Sequence, residues 1–216
     1  MNLLIIGAPG AGKGTMSDLI TKQYDIVHVS TGDMLREAVR NETEVGLKAQ
    51  DYMNKGLLVP DEIIHDIIVE RLSQDDMKNG FLFDGYPRTK VQAEDLDSIL
   101  KQLGKKLDAV INLNIEDEVL FKRITGRRIC KTCGEIYNIY NKAPKVEDVC
   151  DKCGAPLTQR KDDNAESLKT RLEAYHQSTQ PVIEYYGAFG IVKDVNADQA
   201  IDKVFEEVQE VIGGLE

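Results

Sequence analysis

Three groups of residues in this sequence have types and spacing suited to chemistry. The first is Gly7-Ala-Pro-Gly-Ala-Gly-Lys-Gly-Thr15, directly after an apolar run at residues 2–6. It fits the spacing G-x-x-x-x-G-K-[ST] at Gly7, Gly12 and Lys13, with Gly14 where a metal-binding hydroxyl is usual and Thr15 one position later. After a strand and opening a helix, such a loop surrounds a polyphosphate with backbone N–H groups, and its lysine reaches the outer phosphates. The second group is Phe81-Leu-Phe-Asp84, an apolar strand ending in an acid, with Gly85-Tyr-Pro-Arg88 behind it. Asp84 suits a carboxylate serving a nucleotide-bound metal, or equally a helix cap, and the residues that follow favour the catalytic role. The third is Cys130-x2-Cys133-x16-Cys150-x2-Cys153, with Gly134 and Gly154 after the two pairs. That is tetrahedral zinc spacing, and four thiolates leave no open position for a water, so the site reads as structural.

The elements that must position these groups alternate. Short apolar runs at 3–6, 26–29, 81–83, 109–113 and 191–195 look like buried parallel strands, separated by helix-like stretches. The expected fold is α/β, with a five-stranded parallel sheet and helices on both faces. Asp61-Glu62 starts a helix with an apolar stripe at Ile63, Ile64, Ile67 and Ile68. Asp163-Asn164, with Glu166 in capping-box position, is expected to start one long helix running to about Tyr186. Arg123 and Arg127, four residues apart, are expected to share a helix face. Tyr86-Pro87 is expected to be cis, because the chain must turn sharply between Asp84 and Arg88. Residues 30–59 read as two short helices, and residues 126–163 hold every cysteine and few large apolar side chains, so that segment needs its metal to fold.

Composition bounds the rest. The 216 residues are 42% hydrophobic and 30% charged, with a net charge of -10. One sizeable core with a small inserted module is expected, in a monomer. The acidic balance argues against nucleic acid as a partner, so an anionic ligand needs a local cluster of Arg and Lys. No apolar stretch approaches the roughly 18 residues of a membrane span, and no basic leader precedes the first strand, so a cytoplasmic protein with no membrane partner is expected. His28, His65 and His176 lack partners at ligand spacing and read as structural or exposed.

Taken together, the motifs resemble the adenylate kinases, specifically the bacterial long-lid, zinc-containing type. The matching stretches are 7–15, Ser30-Thr-Gly-Asp-Met34 with Arg36, Gly56-Leu-Leu-Val-Pro60, Asp84 to Arg88 with Gln92, Arg123 to Arg128, the four cysteines, and Gln159 to Asp163 with Arg171. They span nearly the whole chain in order. The resemblance implies a P-loop three-layer sandwich divided into core (1–29, 60–125, 164–216), a nucleoside monophosphate-binding insert (30–59) and a zinc-bearing ATP lid (126–163).

It also implies Mg-dependent transfer between ATP and AMP to give two ADP, with structural Zn on Cys130, Cys133, Cys150 and Cys153. ATP would be bound by Gly10, Ala11, Gly12, Lys13, Gly14, Thr15, Arg123, Arg127, Ile136, Tyr137 and Gln199. AMP would be bound by Thr31, Arg36, Leu57, Leu58, Val59, Gly85, Tyr86, Pro87, Arg88, Gln92, Arg160 and Arg171. Lys13, Asp84, Arg88, Arg123, Arg160 and Arg171 would be catalytic. The chain departs from many relatives at Ile136, where they carry a hydroxyl residue or histidine, and at Tyr86, where phenylalanine is frequent.

Three other readings compete. Another monophosphate kinase would take UMP, CMP or GMP, or use GTP. A GTP-dependent switch needs N-K-x-D, and Asn54-Lys-Gly-Leu57 and Asn141-Lys-Ala-Pro144 both lack the aspartate. A nucleic-acid zinc ribbon would draw on Lys131, Lys142, Lys145 and Lys152, against Glu135, Glu147, Asp148 and Asp151.

Overall fold

The computed structural model describes residues 1–215. Five parallel strands form the central sheet: β1 (Asn2–Gly7), β2 (Val27–Ser30), β3 (Phe81–Asp84), β4 (Ala109–Asn114) and β8 (Val192–Asn196), in the order β2-β3-β1-β4-β8. These are the five runs expected from sequence. They read as continuous apolar stretches because both faces of the sheet are covered. Leu4, Ile6, Phe81, Phe83 and Val110 point to one side, packing with Ile64, Ile68, Leu96, Val182 and Tyr186. Leu3, Ile5, Leu82, Ala109 and Ile111 point to the other, against Met16, Ile20, Val204 and Val208.

The helices of these layers are α1 (Lys13–Tyr24), α4 (Asp61–Leu72), α5 (Lys90–Gln102) and α9 (Ile201–Gly213). Between β2 and α4, α2 (Thr31–Arg40) and α3 (Glu44–Lys55) are the two short helices anticipated there. Ser30 and Thr43 cap them by accepting hydrogen bonds from the backbone of Asp33 and Gly46.

Two expectations fail around the cysteine segment. Helix α6 (Asp117–Thr125) stops before Arg127, which opens strand β5 (Arg127–Cys130), so Arg123 and Arg127 do not share a helix face. The helix ends at Gly126, where a Cβ would stand 2.6 Å from the Tyr140 ring; glycine there lets the hairpin close against the helix end. Strands β6 (Ile136–Asn138) and β7 (Leu157–Thr158) flank β5 in a small antiparallel sheet.

The second is the capping of the long helix, which is itself continuous from Ala165 to Gly187, the extent expected. Its cap is Asn164, which accepts from the backbone of Ser167, while Asp163 is buried in ion pairs instead of capping. After α7 (Ala165–Ala174) the chain makes a π-helical turn at Tyr175–Thr179 before α8 (Gln180–Gly187). Pro181 has no N–H to continue the ladder and its ring crowds the preceding turn, so the helix widens there. The widened turn brings Thr179 Oγ1 to the carbonyl of Arg88, 3.0 Å away.

Candidate active site

The phosphate loop leaves β1 and enters α1, where Gly12 caps the helix at φ 106°, a left-handed conformation that glycine adopts without steric cost. Lys13 Nζ donates to the carbonyls of Gly7 at 2.7 Å and Ala8 at 3.2 Å, which holds the ammonium inside the loop. Burial, opposed by Asp84 and reinforced by the nearby Arg88, Arg171 and Arg127, lowers Lys13 to about 8.

Asp84 reaches this loop because β3 lies beside β1 in parallel register, with Ile5 opposite Asp84. Burial alone would raise its carboxyl, but the His28 imidazole and the Lys13 ammonium outweigh it and hold Asp84 below the usual carboxylate range. His28 Nε2 lies 3.7 Å from Asp84 Oδ2. Sequence reasoning missed this residue, because only the β2-β3 pairing brings it there. His65 and His176 also meet aspartates, Asp95 at 2.7 Å and Asp117 at 2.9 Å, and both are surface-exposed as expected.

Around the loop stands a cluster of guanidinium groups. Lys13, Arg88 and Arg171 line one cleft with Pro9, Gly56, Leu58, Gly85 and Pro87. Arg127 makes a two-point pair with Asp163, and Arg171 pairs with Asp162 at 3.0 Å. Arg160 comes within 3.9 Å of Asp33, itself paired with Arg36, so a residue of the 126–163 segment approaches one of the 30–59 segment. Burial, with Arg36 and Arg127 nearby, lowers Arg160 to about 10. Burial also lowers Arg171 to about 10, with Asp162 opposing it and Arg127 and Arg88 adding to it. The arginines gathered here form a local patch of positive charge on an acidic chain, which suits a polyanionic ligand.

The remaining expected residues fall into distinct places. Arg123 donates to the carbonyls of Ala11 at 3.3 Å and Ala197 at 2.8 Å, tying loop to core, while its Nε is buried without a partner among the described residues. Gln199 lies in the same 196–199 turn, where its side chain donates to Glu207. Ile136 faces the loop: a methyl built on Gly14 would meet its Cδ1 at 3.7 Å. The Tyr137 side chain, one residue along the strand, points the opposite way into the cysteine module. Thr31 is 3% exposed and donates to the Gly85 carbonyl, and Arg88 Nε donates to the same oxygen at 2.8 Å. Gln92, buried at the start of α5, accepts from the Arg88 backbone N–H and donates to Asp61. Tyr86 is buried, its bond to Pro87 is cis as expected, and Val59 is buried while Leu57 is exposed.

The four cysteines converge. Their Sγ atoms all lie within 4.8 Å of one another, with Cys130 to Cys153 at 3.4 Å and Cys133 to Cys150 at 3.6 Å. Tetrahedral Zn–S bonds of about 2.3 Å put sulfurs about 3.8 Å apart, so these residues fit a thiolate-bound metal. The two halves repeat one turn: Gly134 N–H donates to Cys130 O and Gly154 N–H to Cys150 O. The buried apolar centre of this module is Cys130, Tyr137, Cys150 and Leu157, too little to hold it without the metal.

A sequence profile of the family described as adenylate kinase matches residues 5–191. The adenylate kinase of Caldicellulosiruptor bescii is 51% identical over 213 residues, covering 99% of each chain. Those of Bacillus cytotoxicus and Bacillus thuringiensis are 51% and 50% identical over 215 residues, covering all of both chains.

Proposed function

Because the chain belongs to the adenylate kinase family, it interconverts ATP plus AMP with two ADP, and we propose that its loop and arginine cluster carry that transfer by fixed positive charge, without a general base. The bond from the γ-phosphorus to the β–γ bridging oxygen breaks as an AMP phosphate oxygen bonds to that phosphorus, and both products are ADP. The AMP phosphate is already ionised near neutral pH, so no proton has to be removed. The observation that carries this reading is the convergence of Lys13, Arg88 and Arg171 on one cleft. Such groups stabilise the charge spread over the transferring oxygens.

In this reading Gly10 to Thr15, Arg123, Arg127, Ile136 and Gln199 hold ATP, together with Tyr137 through its backbone. Thr31, Arg36, residues 57–59, Arg88 and Gln92 hold AMP. Segments 30–59 and 126–163 act as the two lids, closing to keep water from the phosphoryl group. Magnesium, which adenylate kinases use with ATP, would supply positive charge to the phosphates. Asp84, ionised and beside Lys13, would orient that ion's waters, with Thr15 close by. The four cysteines can hold a metal, and we read it as structural zinc. Among the described residues no helix is long and apolar enough to cross a membrane. A monomeric, cytoplasmic enzyme without nucleic-acid partners completes the proposal.

A coupled assay with ATP and each of AMP, UMP, CMP and GMP tests the acceptor assignment. AMP is expected to give a kcat/KM at least about 100-fold above the others; a preference for any other monophosphate overturns it.

Lys13 gives a pH signature. Bound phosphates favour the ammonium, so ATP binding raises a free-enzyme value of about 8. Affinity is therefore complete below that pH and declines as pH rises through it. At about pH 8.5, calorimetry in two buffers of different ionisation heat is expected to show uptake of roughly 0.7 proton per ATP, more than at about pH 7.5. Binding without proton uptake overturns this pH signature.

A further inference from the structure

Gln92 spends one half of its side-chain amide on each of two groups of opposite character. Its Oε1 accepts from the Arg88 backbone N–H at 2.7 Å, and its Nε2 donates to Asp61 Oδ1 at 2.5 Å. Arg88 N–H can only donate, and the Asp61 carboxylate can only accept. Turning the amide over would set Oε1 against a carboxylate and NH2 against an N–H, losing two hydrogen bonds and creating two repulsive contacts. The amide therefore has one orientation, with one N–H and one oxygen lone pair left for a ligand.

We infer that Asp61, at the start of α4, is a positioning residue that sets the polarity of Gln92 and so makes the acceptor site select adenine over purines with the inverse pattern at N1 and C6. The inference rests on Gln92 reading the AMP base. Adenine offers an acceptor at N1 and a donor at C6, which match a fixed N–H and a fixed carbonyl oxygen. Hypoxanthine and guanine offer N–H at N1 and an oxygen at C6, and would need the overturned amide. Asp61 does not touch the base; it acts, together with the Arg88 N–H, by denying Gln92 its second orientation. The link joins the first turn of α4 to the first turn of α5, 31 residues apart in sequence.

The test is Asp61→Asn, which keeps the shape and supplies a side chain that can donate as well as accept, so an overturned Gln92 finds a partner at position 61 and is opposed only by the Arg88 N–H. Both AMP and IMP are used as acceptors with ATP, since hypoxanthine differs from adenine only in this donor–acceptor pattern. The ratio of kcat/KM for IMP to that for AMP is expected to rise about tenfold. KM for AMP rises while kcat with AMP and KM for ATP stay within about twofold, a split that a general loss of structure does not give. An unchanged IMP-to-AMP ratio, or equal loss on the ATP side, overturns the role of Asp61.

Gln92→Ala separates this from the reading beneath it. If Gln92→Ala flattens the discrimination and Asp61→Asn leaves it intact, Asp61 alone is overturned. If Gln92→Ala itself leaves the discrimination intact, Gln92 does not read the base, and both fall.

Discussion

Arg88→Ala is expected to lower kcat for ADP formation by about 10²- to 10³-fold, corresponding to the roughly 3–4 kcal/mol that one preorganised donor contributes to a charged transition state. The substitution leaves the local fold in place because the structural contacts of this residue belong to its backbone. Its N–H donates to Gln92 and its carbonyl accepts from Thr179. Among the described residues the guanidinium is held by a single hydrogen bond, from Nε to the Gly85 carbonyl, while Arg36, Arg160 and Arg171 are each close to a carboxylate. Arg88 therefore keeps its terminal nitrogens free for phosphate and is the member of the cluster least committed to the fold. Melting temperature is expected to move by only a few degrees, as for a surface substitution. Steady-state kinetics with a thermal melt on the same sample checks both; turnover near that of the parent chain places Arg88 outside the reaction.

Removing the metal is expected to melt the cysteine module before the core, with a fall of about 10³-fold in kcat/KM for ATP. The module has four buried residues at its centre, two of them cysteines, so the binding energy of the metal is nearly all of its folding energy. Its ends carry Arg127, at the start of β5, and Arg160, just after β7, so its collapse withdraws two cations from the cleft at once. The five-stranded core has its own two apolar faces and does not depend on the module. A strong chelator, or Cys150→Ser, should therefore give two separated thermal transitions and loss of amide-exchange protection confined to residues 126–163. Unfolding of the whole chain in one step, or unchanged activity in metal-free protein, contradicts this.

Much of the fold was legible because the strands carry both of their functions in consecutive residues. Leu3 to Ile6 and Phe81 to Phe83 are apolar at every position, and that uninterrupted run is the mark of a strand covered on both sides. The loop and the cysteine pairs were equally readable, since backbone geometry within a few residues fixes where their groups point. The helix continuing through Arg127 was a misreading: periodicity extended the helix, and the contact that ends it, Tyr140 over Gly126, comes from 14 residues further on. The π-turn was in principle signalled by Pro181, a local breaker whose weight the polar helix pattern hid.

The sequence by itself therefore determined the sheet, the phosphate loop, the metal ligands and the stock of arginines, because each depends on short-range spacing and residue type. Tertiary structure alone decided which partners those charges find. His28 meets Asp84 only because β2 lies beside β3, Asp163 takes Arg127 instead of capping a helix, and Asp61 reaches Gln92 from another helix. Electrostatic and hydrogen-bond partners are set by distances of 3–4 Å between segments far apart in sequence, and no local pattern encodes those distances.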